Sequence, residues 1–298
     1  MIQRFHIDVS DGAGAHRAEV VIDGAGKRHL GVYRFVLADG TDAVEPETPT
    51  WDCREWQWWA GYDGSTEMRP RMVPAVCGGE ELRNVARVWS EYRCDGVRTR
   101  HEWSVPTVQE PPRLGYDCAI TVTNETGTEL GEYGQFFACY TSLNRPAGRK
   151  LTRETAIGCR FWDASGALVN FLDIGGYHID RLIVAPDSPF RELGRVPHCP
   201  RGDGRVGGSW AQPALVSHPA PGGERHVILF EPTTTAAVCM GAGGPAMDYV
   251  TWPGSLAFAA GSSYTTRVRH HVTPLPEGCE VDALRELWAE FEADLTGQ

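Results

Sequence analysis

Short runs that alternate apolar and polar residues recur from Val20 to Val272, broken by Gly, Pro, Asn and Asp, and only the final stretch changes period. A period of two sends successive side chains to opposite faces of a strand, so each run can bury one face and wet the other. Many short strands separated by turn chemistry build sandwiches. The pattern predicts an all-β chain: a large antiparallel two-sheet β-sandwich with a C-terminal α-helix. The chain has 298 residues, which one large all-β domain can accommodate, and no Gly/Ser or Pro-rich linker divides it, so a single domain over 1–298 is expected.

Particular runs carry this expectation. In "GVYRFVLADG", Tyr33, Phe35 and Leu37 alternate with Val32, Arg34 and Val36, and Asp39-Gly40 supplies the turn. "YDCAITVT" leads into the turn Asn124-Glu125-Thr126-Gly127. "IGCRFWD", Ala-Ser-Gly and "ALVNFLDI" read as a hairpin within 156–174, and "RHVILFE" as a strong strand. In "SYTTRVRHHV", Tyr264, Thr266, Val268 and His270 take one face and Arg267, Arg269 and His271 the other. Two stretches break the rhythm, 42–83 and 185–222, and read as long loop excursions. Loops of that length in compact domains are often functional. The tail shifts to a helical stripe, with Val281, Leu284, Leu287, Trp288, Phe291 and Leu295 on one side of a helix at 281–295. That helix is expected on the outer face of a sheet, with a homodimer contact as the alternative.

Charge and cysteine usage narrow the partners. The formal net charge is −11, and no Lys/Arg-rich run relieves it, which argues against nucleic acid and anionic membranes. No apolar run approaches the roughly 20 residues of a membrane helix, and "MIQRFHIDVSDG" has no apolar signal core. Nine cysteines occur without a CxxC pair, several inside strand-like runs such as Cys118 and Cys139. They read as reduced, buried thiols, so a cytoplasmic protein is expected.

The chemistry-bearing candidates are dispersed. Trp51, Trp56, Trp58 and Trp59 crowd one excursion, and Trp210 lies in the other. Indole faces stack on the C–H faces of sugar rings, so these are candidate platforms; they could equally fasten a loop to the sandwich. His178 follows paired glycines, and His218 lies further on. An imidazole can exchange protons near neutral pH, although an isolated histidine often has a structural use. Glu231 closes "RHVILFE" and shares strand parity with Val227 and Leu229, so burial could tune its carboxyl as a general base; Glu102 is a similar candidate. Gln135 on the strand-like run "GQFFACY", Asn144 at its polar exit, and Arg201 in "CPRGDGR" are candidate hydroxyl ligands. His198-Cys199 with His218 matches no standard zinc spacing. No metal or cofactor is expected, since no Walker, GxSxG or HExxH pattern occurs either.

The segment "PGSLAFAAGSSYTTRVRHHV" at 253–272 resembles the closing strands of the galactose-mutarotase-like supersandwich: Leu256 and Phe258, a turn through Gly261 to Tyr264, then the alternating run Thr265 to Val272. The resemblance implies two packed antiparallel sheets with a sugar cleft on a concave face. In that group's epimerases, a histidine protonates the ring oxygen and a glutamate takes the anomeric proton. The epimerase His-Tyr-Phe-Asn strand motif is absent from this chain. The expected partner is a sugar or oligosaccharide. The functional expectation is acid–base chemistry of epimerase, lyase or hydrolase type by His178, His218 and Glu231. The alternatives are a non-catalytic carbohydrate-binding module and a structural or assembly protein.

Overall fold

The computed structural model describes residues 2–10, 15–23, 31–36, 50–60, 73–82, 85–94, 96–104, 114–131, 135–144, 159–175, 181–196, 204–217, 219, 224–240 and 246–297. In chain order the first strands are β1 (Ile2–Ser10), β2 (Ala15–Asp23), β3 (Gly31–Val36), β4 (Thr50–Ala60), β5 (Val73–Leu82), β6 (Val85–Cys94) and β7 (Val97–Ser104). There follow β8 (Leu114–Asn124), β9 (Leu130–Gly131), β10 (Gln135–Asn144), β11 (Arg160–Asp163), β12 (Leu168–Asn170) and β13 (Arg181–Val184). The last are β14 (Arg205–Val216), β15 (Glu224–Phe230), β16 (Thr235–Met240), β17 (Ala246–Thr251), β18 (Ala257–Phe258) and β19 (Ser263–Pro274). Two five-residue helices, α1 (Phe171–Gly175) and α2 (Pro189–Leu193), interrupt them, and α3 (Glu280–Thr296) follows β19.

The pairings fall into two sheets. The first runs β1-β2-β3-β4-β10-β17-β16-β13, and the start of β14 joins its end. The second runs β5-β6-β7-β8-β19-β15, then the end of β14, β11 and β12. Strand β14 belongs to both, which links seventeen strands into one hydrogen-bonded network. All these pairings are antiparallel except β13 with β14. The expected all-β sandwich with a C-terminal helix is therefore the architecture observed.

The two sheets meet through their facing side chains. The Phe230 ring on β15 lies 4.7 Å from that of Tyr249 on β17, and the Thr251 and Tyr264 hydroxyls are 2.9 Å apart. Alternation then fixes both faces of the second sheet. His226, Ile228 and Phe230 face inward, so Val227 and Leu229 face out, and α3 covers them. Leu284, Leu287, Trp288 and Phe291 form its buried stripe against Trp162, Ala214, Val216, Val227 and Leu229. Each large apolar side chain buried in this way contributes roughly 1.5–3 kcal/mol. Trp288 and Phe291 are 5% and 2% exposed, so this stripe packs within the chain.

Several turns form as their residues dictate. Gly261 takes φ 74°, and Phe258 packs edge-on to Tyr264 across that turn. Asn124 holds the following turn, its Oδ1 accepting from Thr126 N–H and its Nδ2 donating to Thr128 and Phe258 carbonyls. The expected hairpin forms at Asp163–Ala167, but its second strand ends at Asn170. There the Asn170 Oδ1 accepts from Leu172 N–H at 2.8 Å and starts α1 in place of more strand.

Both loop excursions need correction. Residues 42–83 contain β4 and β5, and 185–222 contains α2 and β14. In "TWDCREWQWWA" the tryptophans fall on both parities, which hides the period of two. In "RVGGSWAQPALV", Gly207-Gly208 and Pro213 resemble breakers. They sit instead at irregularities: the β13–β14 register shifts beside the glycines, and the β11–β14 register shifts across the stretch holding Pro213. Ser188 caps α2, and Gly194 ends it at φ 66°.

Candidate functional site

The outer face of the second sheet continues beyond the end of α3 as a polar field. Strands β6, β7, β8 and β19 place their outward residues in register. One row is Glu91, Arg100, Thr121 and Thr265; the next is Trp89, Glu102, Ala119 and Arg267. A third brings Ser104, Asp117 and Arg269 together, and a fourth Arg98, Thr123 and Ser263. The middle residues, Ala119, Thr121 and Thr265, are short, and long charged side chains flank them. The result is an open trough of about 610 Å³, closed at one end by Phe291, Asp294 and Leu295 of α3.

The groups around the trough are held by one another. Arg100 lies over the Trp89 ring at 4.5 Å and donates to Glu102 Oε1 at 2.8 Å. Arg98 donates to Glu125 at 2.7 Å and to Glu91 at 3.3 Å, and these carboxylates hold its pKa above the ordinary value. The hydroxyls of Thr121 and Thr265 are 2.9 Å apart, as are those of Thr123 and Ser263. Arg269 is the anchor: it grips Asp117 with two bonds, at 2.7 and 2.8 Å, and Asp294 of α3 with a third at 2.7 Å. Burial alone lowers the pKa of that guanidinium, and the two carboxylates more than reverse the effect. Cations and anions alternate across the field, so it presents paired donors and acceptors without a dominant charge.

The sequence candidates distribute as follows. Glu231 lies at the end of β15, hydrogen-bonded to β19: its Oε2 accepts from Arg267 N–H at 3.0 Å and its Oε1 from the Thr233 hydroxyl at 3.3 Å. Burial pushes its carboxyl above the usual range, against the opposing pull of Arg267 and Thr233. Trp210 is 2% exposed, so the core takes the ring that was expected to stack on a ligand. Trp51, Trp56, Trp58 and Trp59 all lie on β4, in the first sheet. The register puts Trp51 and Trp59 on the face shared with Tyr249 and Thr251, and Trp56 and Trp58 on the other. Gln135 and Asn144 end β10 on opposite faces. Glu231 has the outward parity of Val227 and Leu229, so β4 and Glu231 lie on opposite sides of the second sheet. His178, His218 and Arg201 lie outside the described residues.

Two further histidines form an interior pair. His226 Nε2 and His270 Nδ1 are 2.8 Å apart, with stacked rings whose centroids are 5.0 Å apart. Burial lowers the pKa of His226 to about 3. Burial, with His226 and His271 close by, depresses that of His270 well below its ordinary value. Both rings are neutral and enclosed, which makes this a core feature. Among the described residues, no group of three His, Cys, Asp or Glu is placed to hold a metal, and no helix is long and apolar enough to cross a membrane.

Of the trough residues, sequence reasoning reached only Glu102. The signal was present in "VRTRHEWS", where Arg98, Arg100, Glu102 and Ser104 occupy one parity, and in β8 and β19, where Asp117, Thr121, Thr123, Thr265, Arg267 and Arg269 do the same. A strand polar at every second position is ordinary. Three adjacent strands polar on one shared face make a site, and adjacency was not legible.

No protein-family model and no curated protein matches the chain. Solved structures similar to it include these two. One is a provisionally named aldose 1-epimerase of Escherichia coli K12, with 11% identity and a TM-score of 0.43 over 92% of this chain and 100% of that one. The other is the GH36 α-galactosidase AgaA of Geobacillus stearothermophilus, with 10% identity and a TM-score of 0.44 over 91% of this chain. The chain spans 41% of that enzyme's length. The fold assignment here stands on the strand pairings of the chain itself.

Proposed function

We propose that this protein binds a carbohydrate in the trough on the outer face of the second sheet. One observation carries the reading: alternating guanidinium, carboxylate and hydroxyl groups surround a floor of small residues at Ala119, Thr121 and Thr265. A sugar offers hydroxyls that both donate and accept, and such a field can satisfy both roles. Charge-assisted bonds from Arg100, Glu102, Arg267 and Asp117 are the stronger class. A neutral ligand suits a field in which the charges are already paired. The resemblance of 253–272 to the sugar-binding supersandwich group points the same way.

The test is a glycan screen followed by titration of the best neutral oligosaccharide against wild type and Ala119→Trp. The substitution fills the floor from a half-buried position, so binding is expected to vanish while the thermal midpoint holds. Undiminished binding by a folded Ala119→Trp protein would remove the trough from the account.

A second reading, acid–base catalysis on the bound sugar, is favoured by Glu231, whose half-buried carboxyl has the raised pKa that proton transfer uses. His178 and His218 are the proposed partners in that chemistry. Turnover of the bound sugar, lost in Glu231→Gln with binding retained, separates an enzyme from a binding module.

A further inference from the structure

Positive charge gathers at one place in a chain whose formal net charge is −11. Arg205, at the start of β14, is in register with Arg181 of β13 on one side and bridges Arg195 on the other. Neighbouring strands lie about 4.8 Å apart, so the three arginines form a row about 10 Å long. All three are exposed. Among the described residues, neither Arg181 nor Arg195 has an ion-pair partner.

The backbone fixes part of this row. A Cβ at Gly207 would stand 2.7 Å from the Arg181 Cβ and 2.9 Å from its Cδ. The Arg181 stem therefore lies across β14 where only glycine leaves room. Gly207 and Gly208 also line a hollow of about 460 Å³, whose other lining residues include the apolar Phe161 and Ile174, the carboxylate Asp163 and the cation Arg191. A row of guanidinium groups and an adjoining hollow accept two different parts of one molecule.

We propose that this is a binding site for a phosphate or sulfate ester, with the oxyanion on the arginine row and the organic body in the hollow. A tetrahedral oxyanion has enough acceptor oxygens to engage several guanidinium forks together, whereas a carboxylate has two. The site is separate from the trough and does not depend on the sugar reading.

The experiment titrates the full chain with phenyl phosphate, phenyl sulfate, inorganic phosphate and phenol. The esters are expected to bind at least about tenfold more tightly than phenol. Arg181→Gln/Arg195→Gln is expected to lose at least about tenfold of that affinity, with circular dichroism and thermal midpoint unchanged. Inorganic phosphate binding as tightly as the ester, and equally sensitive to the double variant, keeps the oxyanion site and removes the hollow from it. The proposal is overturned if no anion binds at millimolar concentration. It is also overturned if Arg181→Gln/Arg195→Gln and Arg205→Gln bind the esters as wild type does.

Discussion

Acidification strains this fold at a known place. His226 and His270 are buried between the sheets and neutral, and their 2.8 Å contact leaves no room for two charged rings. A histidine free in the unfolded chain protonates near pH 6.5, whereas His226 in the fold holds off until about 3. The sign follows directly. The folded pKa is depressed, so the stabilisation is fully present above 6.5 and is lost as the pH falls towards 3. Each proton taken up only by the unfolded chain costs about 1.4 kcal/mol per pH unit. His226 alone then removes about 2 kcal/mol by pH 5, and His270 shifts in the same direction. Against a total stability of roughly 5–15 kcal/mol, that loss is measurable. Urea unfolding at intervals from pH 7.5 to 5 gives the slope. Wild type is expected to lose stability below 6.5. His226→Gln should lose about 1.4 kcal/mol less per pH unit, and His226→Gln/His270→Gln less again. Identical slopes in wild type and both variants would refute the argument.

The other predictions concern the helix and the trough. Arg269→Met should cost about 1–3 kcal/mol in chemical denaturation, because it strands Asp117 and Asp294, which are exposed enough for water to take over in part. Loss of protection in α3 amides by hydrogen exchange should accompany it. Leu284→Ala removes a fully buried side chain from the seam between helix and sheet and should cost about 2–5 kcal/mol. Glu231→Gln keeps a carbonyl acceptor for Arg267 N–H. The raised carboxyl of Glu231 contributes stability below pH 4.5 that is lost as the pH rises through its folded pKa, so the variant should gain on wild type over that rise and then level off. A pH-independent difference between the two would contradict the burial argument.

Much of the architecture was legible because it rests on local alternation. "RHVILF" declared a strongly apolar strand, and it is buried on both faces, by the first sheet and by α3; "SYTTRVRHHV" declared two distinct faces, and the β15–β19 pairing sets the face of Tyr264, Thr266, Val268 and His270 inward. The final helix declared itself by its stripe, and that stripe, Val281 apart, is the set that meets the sheet. Strands β4 and β14 were not legible. Tryptophan on both parities in the first, and Gly-Gly and Pro in the second, conceal alternation when the register is unknown. The trough was hidden for a different reason. Its residues are unremarkable in each strand, and they become a site only through the neighbours that β6, β7, β8 and β19 acquire in the sheet. Trp210 shows the converse: after Gly207-Gly208 in a Pro/Gly-rich stretch it looked like a platform, but β14 carries it into the core.

The most direct test of a sugar in this trough is to locate one. A crystal structure of the protein with its best-binding neutral oligosaccharide should show the rings over Ala119, with hydroxyls at Glu102, Arg100 and Arg267. Rings seated instead on the first sheet beside β4, with the trough empty, would contradict the account.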